Sequence, residues 1–174
     1  MKVVNLFAGP GAGKSTMAAD VFAMLKRAKV NVELVTEFAK DLTWEERWGA
    51  FSCQPYVFGE QVMRLHRLIP QVELVVTDSP ILLSRIYGKN TKSWAKAVEE
   101  VFATFDNLNF FIDRDKPYQQ LGRSQNAEQA KQVDERVFDM LYASQIQFEV
   151  VKGNLLGAIY VKNAALVAAG KVIT

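Results

Sequence analysis

The chain has 174 residues, 49% of them apolar and 23% charged, a balance suited to a globular domain large enough for a sheet covered on both faces. A net charge of +2 argues against an acidic tail or a surface coated with cations for nucleic acid, while leaving a local basic site open. Cys53 is the single cysteine, which excludes an intramolecular disulfide and a cysteine-based metal site and suggests a free thiol in the core.

The first residues, Lys2 to Phe7, already read as a strand rather than a secretion leader. The strand runs into Ala8-Gly9-Pro10-Gly11-Ala12-Gly13-Lys14-Ser15-Thr16, the P-loop pattern with Ala8 where the first glycine usually sits. Glycines let successive backbone N–H groups curl around phosphate oxygens, and the positive end of the following helix faces the same anion. Gly9, Gly11, Ala12, Gly13, Lys14, Ser15 and Thr16 are therefore expected to line the triphosphate of ATP. Lys14 reaches the β- and γ-phosphates and the Ser15 hydroxyl joins a Mg²⁺ shell. A helix from about Lys14 is predicted by Met17, Ala18, Val21, Phe22 and Leu25 on one face, closed by Lys26 and Arg27.

Next comes a short β-branched run, Val32 to Val35, ending at Thr36-Glu37. Residues 43–52 read as a helix carrying Trp44, Trp48 and Phe51, with Pro55 as punctuation, and a longer helix follows over about 56–69. Phe58, Val62, Leu65 and either Leu68 or Ile69 form its inward face. Leu74-Val75-Val76 is a buried strand ending in Thr77-Asp78-Ser79-Pro80. Helices are predicted near 80–87 and 92–104, the second with Trp94, Val98, Val101, Phe102 and Phe105, before a fourth strand at Asn109–Ile112. A polar segment from Asp113 to Asn126 leads to a helix over 127–143, with Ala130, Val133, Val137, Phe138 and Leu141 on one side. Ile146 to Val151 is the fifth strand and about 154–169 the last helix. That stretch is interrupted by Lys162 and Asn163 and is too short to span a bilayer. Short apolar strands alternating with helices imply a mostly parallel five-stranded sheet with helices on both faces, and right-handed crossovers bring the strand C-terminal ends to one edge. With no repeat or linker in view, one domain over 1–174 in the cytoplasm is expected.

Several side chains near that edge can carry chemistry. Asp78 can serve the metal, directly or through water, or simply cap the following helix. Glu37 can take the proton from an acceptor hydroxyl, or be a loop acid paired with Lys40. Arg114, Lys116 and Arg123 suit a lid over about 113–126 that closes on the triphosphate, against the reading of an ordinary charged loop. On the 56–69 helix, Gln61 and Arg64 can hold a base edge and an anion, although arginines there also fit a wet helix face. His66 reads as structural, and Phe51, Tyr56 and Phe58 as core rather than a stacking platform.

In this order (P-loop, acid after the second strand, Asp after the third, arginine-bearing lid) the chain resembles the P-loop nucleoside and nucleotide kinase superfamily. Thr36-Glu37-Phe38-Ala39-Lys40, Thr77-Asp78-Ser79-Pro80 and Arg114…Tyr118…Gly122-Arg123 look like the NadR-like ATP-binding proteins frequent in bacteriophages. The resemblance implies a three-layer P-loop kinase fold and ATP-Mg²⁺-dependent phosphoryl transfer to a small acceptor. Lys14, Glu37, Asp78, Arg114 and Arg123 would carry the chemistry, with Arg114 also on the nucleotide and Ser15 and Asp78 on the metal. The implied partner is a nucleoside or nucleotide, or 5-hydroxymethyluracil in DNA, with a homodimer also open. Many monophosphate kinases carry Asp-Arg-aromatic after strand three, and here Ser79 and Pro80 follow Asp78. Arg64 or Arg85 would replace that grip on an acceptor phosphate, or the acceptor carries none. A GTPase would need Asn-Lys-x-Asp and Asp-x-x-Gly strings, neither of which occurs. An oligomeric motor needs more chain, and a nucleotide sensor without turnover fits an intact Gly13-Lys14-Ser15 less well.

Overall fold

A computed structural model describes residues 1–88, 91–115 and 126–173. The strand of the first segment, β1 (Lys2–Phe7), leads through the glycine-rich loop into α1 (Lys14–Arg27), and β2 (Val32–Val35) into α2 (Phe38–Trp44). A 3-10 turn (Trp48–Ser52) precedes α3 (Gln54–His66) and β3 (Leu74–Thr77). A second 3-10 turn (Ile81–Leu83) opens into α4 (Ser84–Tyr87), followed by α5 (Lys92–Phe102) and β4 (Asp106–Asp113). The chain then forms α6 (Ala127–Ala143), β5 (Glu149–Lys152) and α7 (Leu155–Ala168).

The strands form a five-stranded sheet in the order β2-β3-β1-β4-β5, and every pairing among the described residues is parallel. Side chains alternate across β1, so the two faces build two cores. Val4 and Leu6 join Met17, Val21 and Leu25 of α1 and Val161 and Leu166 of α7. Val3 and Phe7 face the other way, against Leu65 of α3, Val98 and Phe102 of α5, and Val133, Val137 and Leu141 of α6. Phe7 is fully buried and meets Phe102 edge to face at 6.4 Å, so truncating it to alanine would cost about 3–5 kcal/mol. Asn5 brings a polar side chain to the sheet's centre, and its amide donates to Asn107 Oδ1 (2.9 Å) and Asn109 Oδ1 (3.0 Å) across β4. Those bonds offset the cost of burying an amide and tie β1 to β4 in register. No helix among the described residues is long and apolar enough to cross a membrane.

The departures from expectation cluster in one region. In place of a helix over 43–52, α2 starts at Phe38 and stops at Trp44; Glu46 then takes a left-handed φ of 54° before the 3-10 turn. Trp44 and Trp48 are 76% and 60% exposed, and Trp48 stacks only on its neighbour Phe51 among the described aromatic rings. Pro55 does not break the chain but sits in the first turn of α3, where its missing N–H costs nothing. Cys53 is exposed rather than in the core. Elsewhere β4 begins earlier than Asn109, at Asp106, since its first residues pair with Lys2 and Val3 of β1. Phe138, expected inward, is partly exposed and packs edge-on against Phe111 and Phe148.

Candidate active site

Parallel β1, β2, β3 and β4 deliver their C-terminal ends to one edge of the sheet, as such folds do for ligands. After β1 the loop turns through Gly11 (φ 74°) and Gly13 (φ 95°), left-handed conformations that favour glycine. No side chain caps α1 and its first turn holds no acid, so its leading N–H groups remain available to an anion. Ser15 and Thr16 are exposed at that end. Lys14 folds back over the loop, donating from Nζ to the carbonyls of Ala8 (2.9 Å) and Gly9 (2.8 Å). Burial holds its pKa below the ordinary lysine value, while the nearby carboxylates of Glu37, Asp78 and Asp134 oppose that shift.

Glu37 is the last residue before α2, at the end of β2. Its pKa lies above the ordinary glutamate value, first through burial and further through Asp78, with Lys14 pulling the other way. The amide of Gln61 brackets it: Oε1 accepts from the Phe38 N–H (2.9 Å) and Nε2 donates to the Thr36 carbonyl (3.3 Å). Arg64, less than one turn further along α3, pairs with Asp41, lies over the Phe38 ring and donates to the Thr36 carbonyl at 3.3 Å. Both side chains therefore grip the segment that carries Glu37.

Asp78 lies just past β3 and is 5% exposed, and its Oδ1 is buried without a hydrogen-bond partner among the described residues. It does not cap the following 3-10 turn, whose first N–H groups receive no side-chain bond. A buried carboxylate oxygen, unpaired among the described residues, that acts electrostatically on Lys14 and Glu37 fits a divalent cation, and the exposed Ser15 at the start of α1 offers a second oxygen. Such a sparse all-oxygen set suits Mg²⁺, which takes few protein ligands and completes its shell with phosphates and water. Among the described residues, no cluster of three His, Cys, Asp or Glu side chains could hold a metal without such help.

Arg114, two residues into the expected lid, reaches back to the phosphate loop. Its Nε donates to Asp134 Oδ2 (2.5 Å) and its Nη2 to the Pro10 carbonyl (2.6 Å). Arg123 and Lys116 lie outside the described residues. Arg85 is not brought to this group. It donates to Glu99 Oε1 and Ser144 Oγ, each at 2.5 Å, and Ser144 lies ten residues, about 15 Å, along α6 from Asp134.

Sequence reasoning missed two participants. Asp134 on α6 accepts the Gly9 N–H on Oδ1 as well as Arg114 on Oδ2. Tyr87, at the end of α4, is 45% exposed as a residue, yet its hydroxyl pKa is pushed up to about 12 by desolvation and then by Glu37, with Arg136 opposing. Asp134 left one faint signal. It shares the helix face of Ala130, Val133 and Val137, where a carboxylate needs a partner.

The sheet order, the phosphate loop and the acids after β2 and β3 together define the P-loop nucleotide-kinase fold. The chain belongs to the AAA domain family, whose model matches residues 3–156. A search of curated proteins finds no match. Among solved structures it is similar to deoxyadenosine kinase from M. mycoides, determined with products dCMP and a flexible dCDP bound. That structure is 18% identical, with a TM-score of 0.58 over 97% of this chain and 100% of the other, a likeness of fold.

Proposed function

We propose that the protein is a cytoplasmic ATP-dependent kinase that transfers the γ-phosphoryl group to a nucleoside-type acceptor. The observation that carries this reading is the meeting of Lys14, Glu37 and Asp78 at one edge of the sheet, each felt electrostatically by another, although they come from three separate segments. The loop amides and Lys14 bind and orient the triphosphate, and Arg114 adds charge beside Pro10. Glu37 accepts the proton of the acceptor hydroxyl as that oxygen bonds to the γ-phosphorus and the bond to the ADP oxygen breaks. Ser15 and Asp78 would hold Mg²⁺, which would supply neutralisation of phosphate charge.

Ser79 and Pro80 follow Asp78 in place of an arginine, and Arg85 is held by Glu99 and Ser144 rather than at the phosphate loop, which favours an acceptor without a phosphate. The test is ADP release from ATP-Mg²⁺ against deoxynucleosides, their monophosphates, nicotinamide riboside, and DNA with and without 5-hydroxymethyluracil. Deoxynucleoside-dependent ADP is expected. ADP release only with monophosphates or modified DNA would move the acceptor to that class. Acceptor-independent release, or none, would replace the kinase reading with an ATPase or a nucleotide sensor.

A further inference from the structure

We propose that Asp134 is a positioning residue that fixes the first turn of the phosphate loop and aims Arg114 at the bound triphosphate. The inference rests on the reading of residues 8–16 as a nucleotide site and goes beyond it by assigning a part to α6. One carboxylate serves two donors from distant segments: Oδ1 takes the Gly9 N–H and Oδ2 takes Arg114 Nε, each at 2.5 Å. The side chain is 14% exposed and that of Arg114 20%, so the pair is largely shielded from competing water.

The helix backbone also touches the loop. A Cβ on Gly9 would stand 2.7 Å from the Ala130 carbonyl oxygen and 2.9 Å from Asp134 Oδ1, so glycine is required here by close approach rather than by φ. The loop and α6 thus form one unit around this carboxylate. Arg114 closes the ring, because its Nη2 holds the Pro10 carbonyl while its Nε is held by Asp134. Its long side chain would otherwise sample many rotamers, and the two anchors remove that freedom before a ligand arrives. Asp134 therefore acts on the nucleotide through Gly9 and Arg114 and does not touch it.

An asparagine cannot replace it, since an amide offers only one acceptor atom and turns its NH₂ toward one of the two donors. The experiment is a double-mutant cycle on the affinity for a non-hydrolysable ATP analogue with Mg²⁺, using Asp134→Asn, Arg114→Ala and the pair, with melting temperatures alongside. Asp134→Asn is expected to weaken binding about tenfold, and the double variant to bind no worse than about twofold below the weaker single. Multiplied losses, or a lowered melting temperature with unchanged affinity, would make Asp134 a plain structural clip and overturn the proposal. If Asp134→Asn does not fold, Asp134→Glu keeps the charge but displaces both bonds, and the same two outcomes decide. Wild-type protein that binds no analogue would overturn the nucleotide site itself, a failure distinct from binding that Asp134→Asn leaves untouched.

Discussion

The phosphate end of the molecule and the rim formed by residues 36–53 are built differently. Around the phosphate loop, backbone shape comes first, with left-handed glycines and a helix carbonyl against Gly9, and the side chains of Lys14, Asp134 and Arg114 fasten onto it. Along the rim, side chains do the holding: Gln61 and Arg64 reach across from α3 to residues 36–41 at the start of a short helix, and the 3-10 turn beyond contains no buried residue. An open cavity of about 580 Å³ lies beside this rim, lined by Cys53, Gln54, Thr91 and Trp94 among others. Backbone geometry tolerates few substitutions, whereas a side-chain clamp can be re-aimed.

The contrast predicts a graded set of losses. Lys14→Ala should lower turnover by about 10³-fold, because the cation folded onto the phosphate loop is replaced by none. Steady-state rates check this, and a near-normal rate would dissolve the distinction between the two regions. Glu37→Gln should cost about 10²-fold or more while affinity for the ATP analogue persists. Since burial raises the Glu37 pKa, the wild-type kcat/KM should climb with pH through a limb above the ordinary glutamate range, and the variant should lose that limb. The sign for stability is opposite. The folded state holds this proton more tightly than the unfolded one, so the penalty is absent below the unfolded pKa and full above the folded one. Glu37→Gln should consequently melt no lower than wild type at neutral pH.

Gln61→Leu should come next, leaving the buried Phe38 N–H unpaired at a cost of about 1–3 kcal/mol, seen in thermal melts, with a slower rate as Glu37 loosens. Trp48→Ala should change stability by no more than about 0.5 kcal/mol and leave the KM for ATP unmoved, because the indole is 60% exposed. A large loss there would mean that the rim is a packed structure after all.

What could be read from the chain follows the same divide. The phosphate loop lies within nine consecutive residues, where spacing alone states the geometry, and α1 begins at Lys14 as the pattern requires. Glu37 and Asp78 were readable because each closes an apolar strand run, and a parallel sheet carries both ends to one edge. Gln61 was singled out for its place on α3, yet its amide is spent on backbone, a role no helical spacing announces. Asp134 left only its place on an apolar helix face as a signal, and for a different reason. Its partner Gly9 is 125 residues away, and their contact exists only once α6 packs onto the loop. The tryptophans misled, since aromatic residues at helical intervals ordinarily mark a buried face, and Trp44 and Trp48 mark an exposed one.

The two outer strands, β2 and β5, are only four residues long, half the length of β4 inside. Each carries a charge, Glu33 on one and Glu149 with Lys152 on the other. An unpaired strand border is a template on which a second chain can grow a sheet, and short, charged borders offer few consecutive bonding groups to start from. Short, charged borders at both margins therefore disfavour such self-templating.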